Sequence, residues 1–320
     1  MKNLQRDDIH IISRHSALTE KGIARILKEN VYNNKEAWQK FFRLLFISLG
    51  AGFTVSGIVF FFAYNWADLH KFAKIGLIEA LIIVTTIPVL LPKININIRK
   101  IILTGASALT GVLFAVFGQV YQTGANACDF FLAWTIFVTL WVAVSNFAPM
   151  WLLYIVLINT TFILYSQQVA KDWPGILVMT SLFTINTVVL ITSITLAKYK
   201  KAVDIPDWFL NTVALYSAIC ATIGMFFGIF EKYHFSFPVL ILITSTVYVL
   251  GIWHGLKMKS GFYLSVIPFS FIVIVSIWLL KNSSGATRFL LVSLFIIIGV
   301  TSTIISLIEI QKKWNNEKHQ

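Results

Sequence analysis

Glu79 is the side chain whose chemistry most needs a reason. It stands seven residues into an apolar run that begins near residue 72. In a helix this sets a carboxylate about 10 Å from the end of the run. Inserting an ionised carboxylate into a bilayer costs about 2.5–3.5 kcal/mol unless it is protonated or paired. Helical spacing puts Gly76, Ile83 and Thr86 on the same face, and that face is expected to turn toward the interior of a helix bundle. The chemistry on offer is a proton or cation site. The plainer reading is a hydrogen-bonded structural carboxyl, with Lys74 snorkelling outward nearby. Gln119 is the second such group. Ser107, Gly111, Ala115 and Gln119 recur every four residues, so a face of small residues ends in an amide. Small residues admit a neighbouring backbone, and the amide can bond across helices.

Asn159 and Asn186 fall in the middle of two further apolar runs. An amide at that depth is expected to hydrogen-bond to a neighbouring helix, and the pair is also a candidate lining for a mid-span pathway. Ser48, Gly52 and Ser56 form a small-residue stripe, and Gly224–Gly228 and Gly251–Gly255 are GxxxG pairs. Helix packing is the first expectation for all three, with a homodimer seam as the sharper one. The six histidines form no HExxH pair and no metal spacing with Cys128 or Cys220. No P-loop, nucleophile elbow or dinucleotide fingerprint occurs. No catalytic, cofactor-binding or metal-binding residue is assigned. The two cysteines read as small buried hydrophobes at different depths, which disfavours a disulfide.

These groups need helices in oil to position them. Of 320 residues, 57% are hydrophobic and 12% charged, and the mean hydropathy is +0.78. Soluble domains carry about 25% charged residues, so a soluble enzyme is excluded. The first long apolar run is Leu44 to Trp66, and its uncharged part suffices to cross about 30 Å of hydrocarbon. Nine more runs follow, at about 72–91, 101–121, 130–148, 150–166, 175–197, 209–230, 237–256, 261–280 and 288–308. The predicted fold is all-α, a polytopic bundle of about ten transmembrane helices. Within 130–166, Asn146 and Pro149 mark a very short turn between two spans.

Residues 1–43 read as a small cytosolic helical head, 44–308 as the bundle, and 309–320 as a short basic cytosolic tail. In the head, Asp7 or Asp8 and then Thr19 are expected to cap short helices, and Lys35 to start a helix that runs into the membrane. With the N-terminus inside, twenty of the twenty-six Lys and Arg fall on cytosolic segments. That asymmetry predicts ten spans with both termini cytoplasmic. The net charge of +12 is then topogenic, and no nucleic-acid partner is expected. On this topology Asn65, Trp66, Asp68, Glu79, Gln119 and Tyr121 all lie in the outer half. They form a candidate polar cluster at the outer mouth of the first three helices.

Three segments carry a likeness to a known family. They are LTEKGIARIL, FFAYNWADLHKFAKIGLIEAL and ALTGVLFAVFGQVYQTGANACDFFLAW. Phe61, Phe62, Ala63, Asn65 and Trp66 form an FFAxNW corner after the first span. Gly118, Gln119, Tyr121 and Gly124 end the third, with Gly124 one step earlier than the pattern expects. Over roughly residues 18–165 the chain resembles the bacterial membrane proteins known as domain of unknown function 2157. The resemblance implies a bacterial inner-membrane protein and no particular chemistry. The expectation is a non-enzymatic protein that acts through the lipid bilayer and a membrane-protein partner or a second copy of itself. The alternative is a small-molecule or ion transporter using the cluster around Glu79 and Gln119.

Overall fold

A computed structural model describes residues 19, 21–23, 27, 35–64, 69–91, 94–121, 124–199, 205–231 and 233–318. Ten long helices follow one another: α1 Lys35–Tyr64, α2 Lys71–Leu90, α3 Ile96–Tyr121, α4 Ala127–Ser145, α5 Ala148–Gln168, α6 Gly175–Tyr199, α7 Asp207–Phe230, α8 Ser236–Lys257, α9 Gly261–Asn282 and α10 Ala286–Lys318. Each is long and apolar enough to cross a membrane. Helices are the open-ended element that satisfies its own backbone in hydrocarbon. The predicted all-α fold and ten spans are therefore what the chain forms. Thr19 accepts from the Gly22 N–H at 3.3 Å, as a cap of the short turn 21–23. The expected cap at Asp7 or Asp8 lies outside the described residues. α10 carries its helix through the segment read as a tail, to Lys318.

The chain divides into two compact units, residues 1–122 and residues 123–318. In the first, α3 packs against both α1 and α2. Ile78 of α2 and Val116 of α3 are buried, and Ile75, Ile82, Val112 and Leu113 pack around them. The Arg99 Nε–H donates to the Val89 carbonyl at 2.5 Å and ties the start of α3 to the end of α2.

The second unit holds α4 to α10. Its core lies between α6, α7 and α8, with Ile176, Leu182, Phe183, Ala221, Met225 and Leu240 buried together. Gly224 receives Leu240 and Met179, and Gly228 receives Phe237 and Ile176. Gly251 and Gly255 receive Ile267, Leu264 and Tyr263 of α9. Both GxxxG pairs thus serve packing inside this unit. α9 lies against α7, α8 and α10.

The turns follow local chemistry. Gly124 has φ +66, a left-handed conformation that costs glycine nothing. Asn126 and Asp129 then form a capping box at the start of α4. Gln168, at the far end of α5, accepts from the Cys128 N–H at 2.9 Å and satisfies another free donor of that helix end. Both cysteines are free and buried. α4 and α5 are joined by two residues alone, with Asn146 left-handed at φ 42 and Pro149 in the first turn of α5. The α8–α9 turn is closed by Lys259 at φ 52 and the Ser260 N–H bonding back to the Gly255 carbonyl at 2.9 Å. Lys259 also pairs with Glu317 at 2.8 Å, but both side chains are largely exposed. Exposed pairs contribute little, so Glu317→Ala should change the unfolding free energy by less than about 1 kcal/mol. Denaturant titration of the purified protein checks this.

Candidate functional site

The first unit places its candidate residues differently from expectation. Glu79 is exposed, as are Gly76 and Ile83, while Thr86 is half-buried and bonds to the Ile82 carbonyl at 2.6 Å. The face expected to turn inward is the one this unit leaves uncovered. α2 is oriented instead by Ile75, Ile78 and Ile82, which pack on α3. Lys74 is buried rather than snorkelling outward. Gln119 is exposed at the end of its small-residue face, whose other end, Ser107, is buried. Tyr121 is also exposed, with its ring 4.5 Å from that of Phe117. Glu79, Gln119 and Tyr121 share no hydrogen bond among the described residues. Asn65, Trp66 and Asp68 lie outside the described residues.

The second unit brings its two candidates together. Asn186 is 0% and Asn159 4% exposed. Asn159 Nδ2 donates to Asn186 Oδ1 at 3.1 Å, and Asn186 Nδ2 donates to Asn159 Oδ1 at 2.6 Å. The second hydrogen of each amide goes to its own helix, to the Ile155 and Leu182 carbonyls at 2.7 and 2.8 Å. An amide has two hydrogens to give, so all four are used. The result is a reciprocal clasp between α5 and α6.

A row of hydroxyls in the middle stretches of α7, α8 and α9 was not singled out from the sequence. Thr222 of α7 meets Ser270 of α9 at 2.6 Å, and Ser270 meets Tyr248 of α8 at 2.5 Å. The proton positions follow from counting. Thr222 gives its one hydrogen to the Ala218 carbonyl at 2.8 Å. Ser270 must then donate to Thr222, and Tyr248 to Ser270. Three helices are joined by a chain of hydroxyls in which every proton points one way. The oxygen of Tyr248 is left with acceptor capacity alone.

Thr187 and Ser217 stand to one side of this row, Ser217 five residues before Thr222 on α7 and so about 7.5 Å along the helix. They are 5% and 4% exposed, and neither hydroxyl has a hydrogen-bond partner. Hydroxyls inside helices ordinarily bond back to the carbonyl one turn earlier, as Thr180, Thr184 and Thr222 do here. Thr187 and Ser217 do not. The α6–α7 register, set by Met179 on Gly224 and Ile176 on Gly228, carried onward puts Thr187 level with Ser217. Asn159, Asn186, Thr187, Ser217, Tyr248 and Ser270 all stand near the midpoints of their helices.

Two cavities flank that level. One, of about 310 Å³, runs between α6, α7, α8 and α9 from Phe183 and Thr187 toward Thr195, His254 and Phe262. The other, of about 600 Å³, runs along α7, α8 and α9 from Thr244 toward Phe237 and Trp278. Tyr248 and Ile267 line both. A third, of about 440 Å³, lies beside the α4–α5 turn, lined by Asn146, Trp151, Ser193 and Phe209. The walls are chiefly apolar, as in small-molecule sites. Among the described residues no group of His, Cys, Asp and Glu is arranged to hold a metal ion.

Ten long apolar helices, with buried polar groups near the midpoints of α5 to α9, define a multi-pass helical membrane protein. Residues 14–151, less than half of the chain, match the family described as predicted membrane protein (DUF2157), the family that the corner and the segment ending at Gly124 resemble. No curated protein and no solved structure matches the chain. The matched residues stop within the first turn of α5, so Asn159, Asn186 and the hydroxyl level lie beyond them.

Proposed function

We propose that this chain is a non-enzymatic protein of the bacterial inner membrane, with both termini in the cytoplasm, that works by holding membrane-embedded partners against its apolar clefts. The observation carrying this reading is how the two buried amides and the Thr222–Ser270–Tyr248 hydroxyls of the second unit are used. The amides of Asn159 and Asn186 bond to each other. Thr222, Ser270 and Tyr248 are likewise tied off in sequence. The cavities beside them are walled by apolar side chains. Groups arranged so join helices and leave apolar surface for a lipophilic partner. The orientation rests on the excess of Lys and Arg in the segments assigned to the cytoplasm. A second copy of the chain, another membrane protein and the lipids themselves are the partners in view.

One observation favours transport as the second reading: two cavities lie on opposite sides of the Tyr248 level and share Tyr248 and Ile267 as wall. Reconstituted vesicles separate the two. The partner-holding reading expects background flux of labelled cations, amino acids and sugars with the wild type and with Glu79→Gln alike. In cells, photocrosslinking from the cleft rims should then yield discrete adducts with membrane components. Flux above background would establish the transporter instead, whether or not Glu79→Gln abolishes it.

A further inference from the structure

We propose that the cleft between α6, α7, α8 and α9 binds an uncharged amphiphile, a hydrocarbon chain bearing one hydroxyl or carbonyl oxygen, with that oxygen seated at Thr187 and Ser217. The two hydroxyls line the cleft yet bond to nothing. A buried polar group without a partner costs more free energy than a made bond returns. Thr244, lining the other cavity, is a third such hydroxyl. Among the described residues, Thr187 and Ser217 alone stand as a pair on facing helices lining one cleft, where a single ligand oxygen satisfies both. An alcohol or ketone oxygen accepts from both. Tyr248, which lines the same cleft, has given its proton to Ser270. It can only accept, and therefore suits a ligand hydroxyl.

The ligand's body follows from the walls. Phe183, Leu190, Ala218, Val247, Val266 and Ile267 present hydrocarbon along the cleft, and no Lys, Arg, Asp or Glu lines it. His254 lines the opposite end of the cleft, so a charged head at Thr187 and Ser217 has no counterion beside it and would carry an uncompensated desolvation cost. Ile191, Leu250 and Trp253 also line the cleft and are all more than half exposed. The cleft is therefore open sideways between helices, the direction from which a lipophilic molecule arrives in a bilayer. The volume of about 310 Å³ is at the small end of known ligand sites, which suits a single chain.

This inference names the chemistry of one cleft and rests on the partner-holding reading only in taking lipophilic molecules as cargo. Its test is the full chain in lipid nanodiscs, photolabelled with a diazirine-bearing long-chain alcohol, the matching ketone, the matching alkane, the matching carboxylate and a diazirine-bearing phosphatidylcholine. The alcohol or the ketone should label cleft residues saturably and the other three should not; which of the two labels more strongly identifies the head. Thr187→Val with Ser217→Ala should weaken that labelling about tenfold, the factor for two modest hydrogen bonds lost together. Thr187→Ser should retain it. Because neither hydroxyl has a partner in the protein, the paired variant should unfold no more easily than the wild type, so a loss of labelling is not a loss of fold. Equal labelling by the alkane, stronger labelling by the carboxylate or the phospholipid, no labelling at all, or full labelling of the paired variant would each overturn the proposal. Failure here leaves the vesicle and crosslinking results standing.

Discussion

Asn186→Leu should lower the unfolding free energy of the purified protein by about 1–3 kcal/mol, the cost of stranding a buried polar group. The substitution removes both interhelical bonds of the clasp and leaves Asn159, 4% exposed, with an unmet oxygen and an unmet hydrogen. Nothing polar replaces them, since Asn159 otherwise bonds only to its own helix at Ile155. The paired variant Asn159→Leu with Asn186→Leu should cost less than the two single changes added. Couplings between membrane helices of this kind average about 0.6 kcal/mol and reach about 1.7. Detergent unfolding of all four proteins measures the cycle. Additive losses would mean that the two amides are independent, and the clasp would have to be abandoned.

Gly228→Ala is the second large effect, with an expected loss of about 1–3 kcal/mol from overpacking. A Cβ at this position would collide with the ring of Phe237, and it would lie 2.8 Å from Ile176 Cδ1. Neither neighbour moves freely. Ile176 is in the core cluster, and Phe237 packs against it. Phe237→Leu should recover part of the loss by removing the ring. Gly76 is the contrast: nothing lies within 4 Å of its would-be Cβ. Gly76→Ala should be neutral or stabilising, by up to about 1 kcal/mol, because alanine favours the helix. The same unfolding assay compares them, and equal effects at the two sites would contradict the packing described.

The helices were legible because their driving force is composition. The run of apolar residues and its interruption at Asn146 and Pro149 place α4 and α5 within a few residues of where they form. Azimuth was less legible. The depth of Glu79 follows from counting, but the face it occupies depends on which apolar neighbours pack best. Ile75, Ile78 and Ile82 decide that against α3. Asn159 and Asn186 each stood out as amides in oil, yet their pairing needs the α5–α6 register, which no residue pattern encodes. The hydroxyl level was missed for a chemical reason. Serine and threonine in apolar helices usually bond to their own backbone, so residue type alone carries no signal. The usable signal was position, since Thr187, Ser217, Tyr248 and Ser270 all stand near the centres of their runs.

The two-residue link between α4 and α5 has a consequence for biogenesis. Fully extended, such a link spans about 7 Å, far less than the bilayer thickness. The two ends it joins therefore stay together at one face of the membrane, and α4 and α5 cross in opposite directions. When α5 enters the bilayer α4 is already beside it, so the two pair without a search, with Asn146 bent at the fold between them.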